Sequence, residues 1–146
     1  MDLRSSSRLF LVVVVSACLP SGEKQFVVLA EEVQLEEGVW IDVPAPEPLR
    51  TPSDEQEVCF EVVRPVELAD HPMAILDSSG KPVTVRVEAL AVGDRLVLES
   101  LSYIGPRTAC LGARYSVGDR SFERVRIQAS AAIEIRAVEW HSTAKW

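Results

Sequence analysis

The chain has 146 residues, 47% hydrophobic and 25% charged, the balance of one globular domain rather than of a disordered segment. Lys+Arg is 15 against Asp+Glu 22, a formal net charge of −7. That argues against a nucleic-acid binder, which needs a basic stripe to neutralise phosphates. Three Cys and two His are too few for most structural metal sites, so neither a metal nor a cofactor is expected. With no Asn in the chain, there is no N-glycosylation acceptor.

The first 17 residues read as an export signal. Arg4 and Arg8 give a basic start, Leu9 to Val15 an unbroken apolar run, and Ser16 and Ala17 the small residues that precede a cut. The run is far below the roughly 20 residues that a spanning helix needs. Val15-Ser16-Ala17-Cys18 resembles the lipobox of bacterial lipoproteins. That resemblance covers only the first 18 residues. It implies cleavage before Cys18, acylation of its thiol and new amino group, and a membrane anchor at the cell envelope. Each buried CH₂ of an acyl chain adds about 0.8 kcal/mol of membrane affinity. Leu19 stands where such lipoproteins often carry an Asp for inner-membrane retention, so the resemblance points to the outer membrane or its periplasmic face. The alternatives are a soluble product cut after Ala17, with Cys18 incidental, and a cytosolic chain with an apolar first strand. Residues 18–25 then form the lipidated Cys and a short tether, and residues 26–146 a single domain.

The domain reads as strands. It is rich in Val, and no helical period with caps holds for three turns. Phe26 to Leu35 begins apolar and turns acidic. Val39, Ile41 and Val43 alternate with Trp40 and Asp42. Residues 44–56 hold four Pro and no apolar period, so they are expected as a loop or an edge segment. Val58, Phe60 and Val62 form an inward set, which puts Cys59 outward with Glu57 and Glu61. Pro72 to Asp77 is a short strand, closed by a turn at Ser78-Ser79-Gly80-Lys81. Val83, Val85 and Val87 alternate with Thr84, Arg86 and Glu88. A turn at Gly93-Asp94 leads into one strand over Arg95 to Ser102. Gly105-Pro106 breaks it, Thr108 to Ser116 follows, and Gly118-Asp119 ends that strand. Val125, Ile127 and Ala129 oppose Arg124, Arg126 and Gln128.

The last strand slips phase. Ile133, Ile135 and Ala137 share a face, and then Val138 and Trp140 continue the apolar set one residue early, as a β-bulge would require. The fold expected is all-β, an antiparallel sandwich of eight or nine strands. An immunoglobulin domain would place a Trp near residues 70–74, where ADHPM stands, and a Tyr at 108, where Thr stands. A jelly roll fits the strand count equally well, and the sequence leaves the topology open.

Chemistry-bearing patterns are sparse. The chain has no G-x-S-x-G, no H-E-x-x-H and no phosphate-cradling Gly loop, and an enzyme is not expected. Cys59 and Cys110, the pair left after Cys18, are a disulfide candidate, placed near an edge or outer face rather than in the core. His71 and His141 read as solvated side chains. Trp140 reads as core and Trp146 as a free terminus. Trp40 beside Asp42 is a candidate sugar platform, or a ring covered by the Pro-rich segment. Residues 19–61 carry 2 basic and 11 acidic residues, dense at Glu31, Glu32, Glu36 and Glu37. That block is either a surface for a basic partner or a charged edge that blocks strand-to-strand aggregation. Arg120, Arg124, Arg126 and Arg136 are expected to pair with Glu123, Glu134 and Glu139.

The function expected is a non-enzymatic envelope lipoprotein. Its contacts would be the membrane, through its lipid, and an envelope protein partner. The alternative is a carbohydrate-binding module that uses surface Trp.

Overall fold

The computed structural model of the chain describes residues 24–62, 74–103, 106–113 and 117–143. The export signal, Cys18 and most of the tether lie outside the described residues, as do His71, Pro72 and Trp146. Eleven strands are described: β1 (Gln25–Leu35), β2 (Ile41–Arg50), β3 (Glu55–Val62), β4 (Ile75–Leu76), β5 (Pro82–Val83) and β6 (Val85–Ala91), then β7 (Asp94–Leu98), β8 (Ser100–Tyr103), β9 (Thr108–Gly112), β10 (Ser121–Ala129) and β11 (Ile133–Thr143).

Nine of them form the two sheets of a sandwich, in the orders β1-β11-β3-β9-β8 and β2-β10-β6-β7. The remaining two, β4 and β5, pair as a small hairpin. The pairing is nested. β1 pairs with β11, β2 with β10, β3 with β9 and β6 with β7, all antiparallel. One long hairpin, rolled so that successive pairs fall in opposite sheets, gives this order and brings β11 beside β3 and β10 beside β6. That is jelly-roll connectivity, and it settles the topology that the sequence leaves open. β8 is an added edge strand, and β4–β5 is inserted between β3 and β6.

The alternating apolar sets close the core. Val58, Phe60, Val87, Ala89, Leu98, Val125, Ile127, Ile135, Val138 and Trp140 are each fully buried. Ile135 and Trp140 lie five residues apart, and a strict period of two cannot bury both. The extra residue is at Ala137, exposed and at φ 48°, where β11 shifts register against β3 between Arg136 and Glu139. β1 answers with its own shift between Val28 and Ala30. The bulge read from the phase slip is therefore present, with a counterpart in its neighbour.

The Pro-rich segment is the edge segment expected: it is strand as far as Arg50, and β3 begins at Glu55. β2 is a sheet edge with one neighbour, β10, so strand prolines leave few ladder bonds unmade there. The expected strand over Arg95 to Ser102 is two strands, because the chain changes sheet at Glu99, whose N–H donates to Gly112 O at 3.1 Å. The first residue of β1 is Gln25. Its side chain donates to Pro48 O at 2.9 Å and accepts from Arg50 N at 2.7 Å, joining β1 to β2. The turn expected after Asp77 is present. Asp77 Oδ1 accepts from Ser79 N, Ser79 Oγ and Lys81 N, and Gly80 takes φ 82°.

Candidate functional site

Four surfaces contain the residues singled out in the sequence or the cavities between them. The first is the outer face of the five-stranded sheet. Cys59 and Cys110 are direct cross-strand partners with Cα atoms 4.0 Å apart, and they form a disulfide. The bridge lies within one sheet, on the face away from the core. His141 is not the solvated side chain expected. It is partly buried, with Nε2 2.9 Å from Glu139 Oε2 and Nδ1 3.6 Å from Cys59 Sγ. Its ring meets Phe26 edge-on at 5.0 Å. Glu57, Cys59 and Cys110 approach to metal-ligand spacing, but both sulfurs are used in the bridge, leaving no thiolate.

Burial, and then the carboxylate of Glu55, push Glu57 above the usual carboxylate range, while His141 and a hydrogen bond with Ser102 pull it back. A carboxyl whose folded pKa is raised costs nothing while it is protonated in both states. It costs stability once pH passes the unfolded value and ionisation must occur in the fold. Glu57→Gln is therefore expected to raise the thermal midpoint at about pH 7, with the gain vanishing by about pH 3. Melting curves across that range check it; a gain independent of pH would contradict the assignment.

The second surface is the outer face of the four-stranded sheet. Arg126 donates to Glu88 Oε2 at 2.5 and 2.6 Å and stacks over the Trp40 ring at 4.3 Å. Arg95 approaches the other Glu88 oxygen at 3.7 Å. Arg124 pairs with Asp42 at 3.3 Å, and Arg120 with Asp94. Of the expected pairings, Arg136 with Glu134 is present at 2.7 Å. Arg124 and Arg126 take partners from the strands flanking β10 instead, β2 and β6, because cross-strand neighbours stand closer than residues along one strand, and Arg120 reaches Asp94 at the start of β7. Trp40 is half-buried, and Arg126 stacks over its ring. Trp140 is buried, as expected, and donates from Nε1 to Arg50 O at 3.1 Å. A cleft of about 250 Å³ beside Trp40 is lined by Arg86, Glu88, Val97 and Glu99. A second of about 270 Å³ is lined by Gly38, Thr84, Arg86, Gln128 and Ser130.

The third surface is the acidic edge. Glu31 and Glu32 lie on β1, and Glu36 and Glu37 in the connection to β2, and all four are exposed. β1 borders its sheet. Phe26 and Val28, on the same strand, are 59% and 62% exposed.

The fourth is a cavity of about 320 Å³ at one end of the sandwich. Leu35, Val62, Ile75, Leu76 and Ile133 line it, with Asp77 and Glu134 at the rim. Hydrogen bonds from Ser79 to Asp77 and from Arg136 to Glu134 are the largest influences holding those two carboxyls below their ordinary range.

The strand pattern already placed Arg86 and Glu88 outward. It did not show that Glu88 is claimed by Arg126 and Arg95 while Arg86 has no carboxylate partner among the described residues, because that depends on which strands lie side by side. No protein family matches the chain, and no curated protein or solved structure does so.

Proposed function

We propose that this chain is an exported, lipid-anchored envelope protein without catalytic activity, and that its jelly roll docks a basic segment of an envelope protein along β1. The observation that carries the reading is the composition of that edge. One strand offers two exposed apolar side chains, Phe26 and Val28, and then leads into four exposed carboxylates. Apolar contact supplies affinity, and the charges select a basic partner and speed its encounter. The strand follows the segment carrying Cys18 by a few residues, so such a partner would be met close to the membrane. A disulfide within the fold is compatible with an oxidising compartment. No helix among the described residues is long and apolar enough to cross a membrane.

A photo-crosslinking residue in place of Phe26, in the full-length protein in cells, tests the docking. The expected result is a discrete cross-linked partner that the quadruple variant Glu31→Lys, Glu32→Lys, Glu36→Lys, Glu37→Lys loses. No cross-linked partner, or one that the variant retains, would overturn the docking. Intact mass of the membrane-fraction protein tests the anchor. A mass that begins at an acylated Cys18 supports it, and a soluble product cut after Ala17 removes it. The second reading, a carbohydrate-binding module, keeps Trp40 at its cleft.

A further inference from the structure

The two clefts on the outer face of the four-stranded sheet share one residue, Arg86. It is exposed, on β6, and among the described residues no carboxylate pairs with it. Three other arginines on this face are engaged. Arg126 and Arg95 close on Glu88, and Arg124 closes on Asp42. In a chain of net charge −7, a guanidinium between two clefts with no partner among the described residues is a local exception.

Each cleft adds a different chemistry. On one side stand Thr84, Gln128 and Ser130. Gln128 Nε2 donates to Gly38 O at 2.8 Å, which fixes the amide and leaves its oxygen free to accept. Ser130 Oγ accepts from Thr84 N at 2.9 Å, which leaves its hydrogen free to donate. On the other side stand Trp40, Val97 and the carboxylates Glu88 and Glu99.

We propose that Arg86 and the paired clefts bind an acidic saccharide, with a uronate carboxylate on the Arg86 fork and the ring hydroxyls on the flanking polar groups. Guanidinium and carboxylate match as two parallel hydrogen bonds, which an ammonium cannot reproduce. Thr84, Ser130 and Gln128 supply both donors and acceptors, as sugar hydroxyls require. Val97 and the indole give an apolar wall for a sugar ring. Glu99 bears on the choice between a glycan and an acidic peptide, because Glu88 is already held by Arg126 and Arg95. Glu99 accepts from hydroxyl groups but repels a second carboxylate brought to the Trp40 side. The proposal rests on the second reading above and is independent of docking along β1.

The test is calorimetric titration of the full chain with oligogalacturonate, its methyl ester, a neutral galactan oligomer and a poly-Glu peptide. Tryptophan emission is followed in parallel, with Trp40→Phe to assign the signal. Oligogalacturonate is expected to bind saturably and change the emission of Trp40. Arg86→Gln should weaken it by about tenfold or more, with the thermal midpoint unchanged, and Arg86→Lys should lie between. The methyl ester should bind as weakly as Arg86→Gln binds the acid. Equal binding of galactan and uronate, or an Arg86→Gln variant that binds normally, would overturn the carboxylate contact and leave the carbohydrate reading standing. Equal or tighter binding of poly-Glu would overturn the saccharide in favour of an acidic peptide. No binding of any probe would remove both the proposal and the carbohydrate reading.

Discussion

Replacing Cys59 and Cys110 together with alanine is expected to lower the stability of the fold by about 4 kcal/mol, the loop-closure entropy released when the bridge is lost. The two residues are 51 apart in sequence. Between them run β4 to β8 and the ends of β3 and β9, including the innermost pair of the roll, β6 with β7. The bridge therefore shortens the search for the strands whose pairing the outer ones enclose. Both sulfurs are buried on the outer face of their sheet, so removing them leaves the inward-facing core residues untouched. For a domain of this size the loss corresponds to a fall in melting temperature of roughly 15 °C. Thermal unfolding of the double variant, and of the unmodified protein with and without reductant, measures it. A midpoint that reductant does not move would show that the bridge adds no stability.

How much of this was legible in the sequence depends on the range of the interaction. Alternation is local, so Val58, Phe60, Val125 and Ile127 could be assigned to the core one strand at a time, and all are buried. The bulge was legible for the same reason, since Ile135 and Trp140 cannot share a face without an extra residue. The outward direction of Cys59 followed from the same parity. Strand ends were harder. Pro44, Pro46 and Pro48 argue against a strand flanked on both sides, and only the sheet order puts β2 at an edge where they are tolerated. Glu99 carries no local mark of the corner it makes between sheets. Ion pairs were the least legible. Arg126 meets Glu88 across β10 and β6, residues 38 positions apart, whereas the sequence offered nearer carboxylates on the same strand. The candidate cleft was missed on the same ground, since Arg86 is notable only once its neighbours have found their partners.

Trp140→Ala is expected to cost about 3–5 kcal/mol, comparable to the loss of the disulfide, because one side chain serves both sheets. The indole sits on β11 between Val27 of β1 and Val58 of β3, in the interior of the five-stranded sheet. It faces across the core to Phe122 of β10, with ring centres 6.4 Å apart, and its Nε1 donates to Arg50 O at the end of β2. Trp140→Phe separates the two contributions. It keeps most of the packing and removes the indole's hydrogen bond to Arg50 O, a loss of about 0.5–1.5 kcal/mol. Chemical unfolding of the two variants gives the difference, and retained near-UV dichroism in the Phe variant shows that the core stays ordered. The sites are also coupled. Trp140 of β11 is opposite Val58 of β3, and Cys59 is the next residue of β3 on its other face, so indole and disulfide meet at adjoining positions of one strand. A domain of this size has about 5–15 kcal/mol of stability in all. Removing both features takes away most of the lower half of that range, so Trp140→Ala in reductant is expected to be unfolded at about 37 °C. Persistence of a cooperative transition there would mean that the nested strand pairing holds the roll together without its central cross-link and its largest buried side chain.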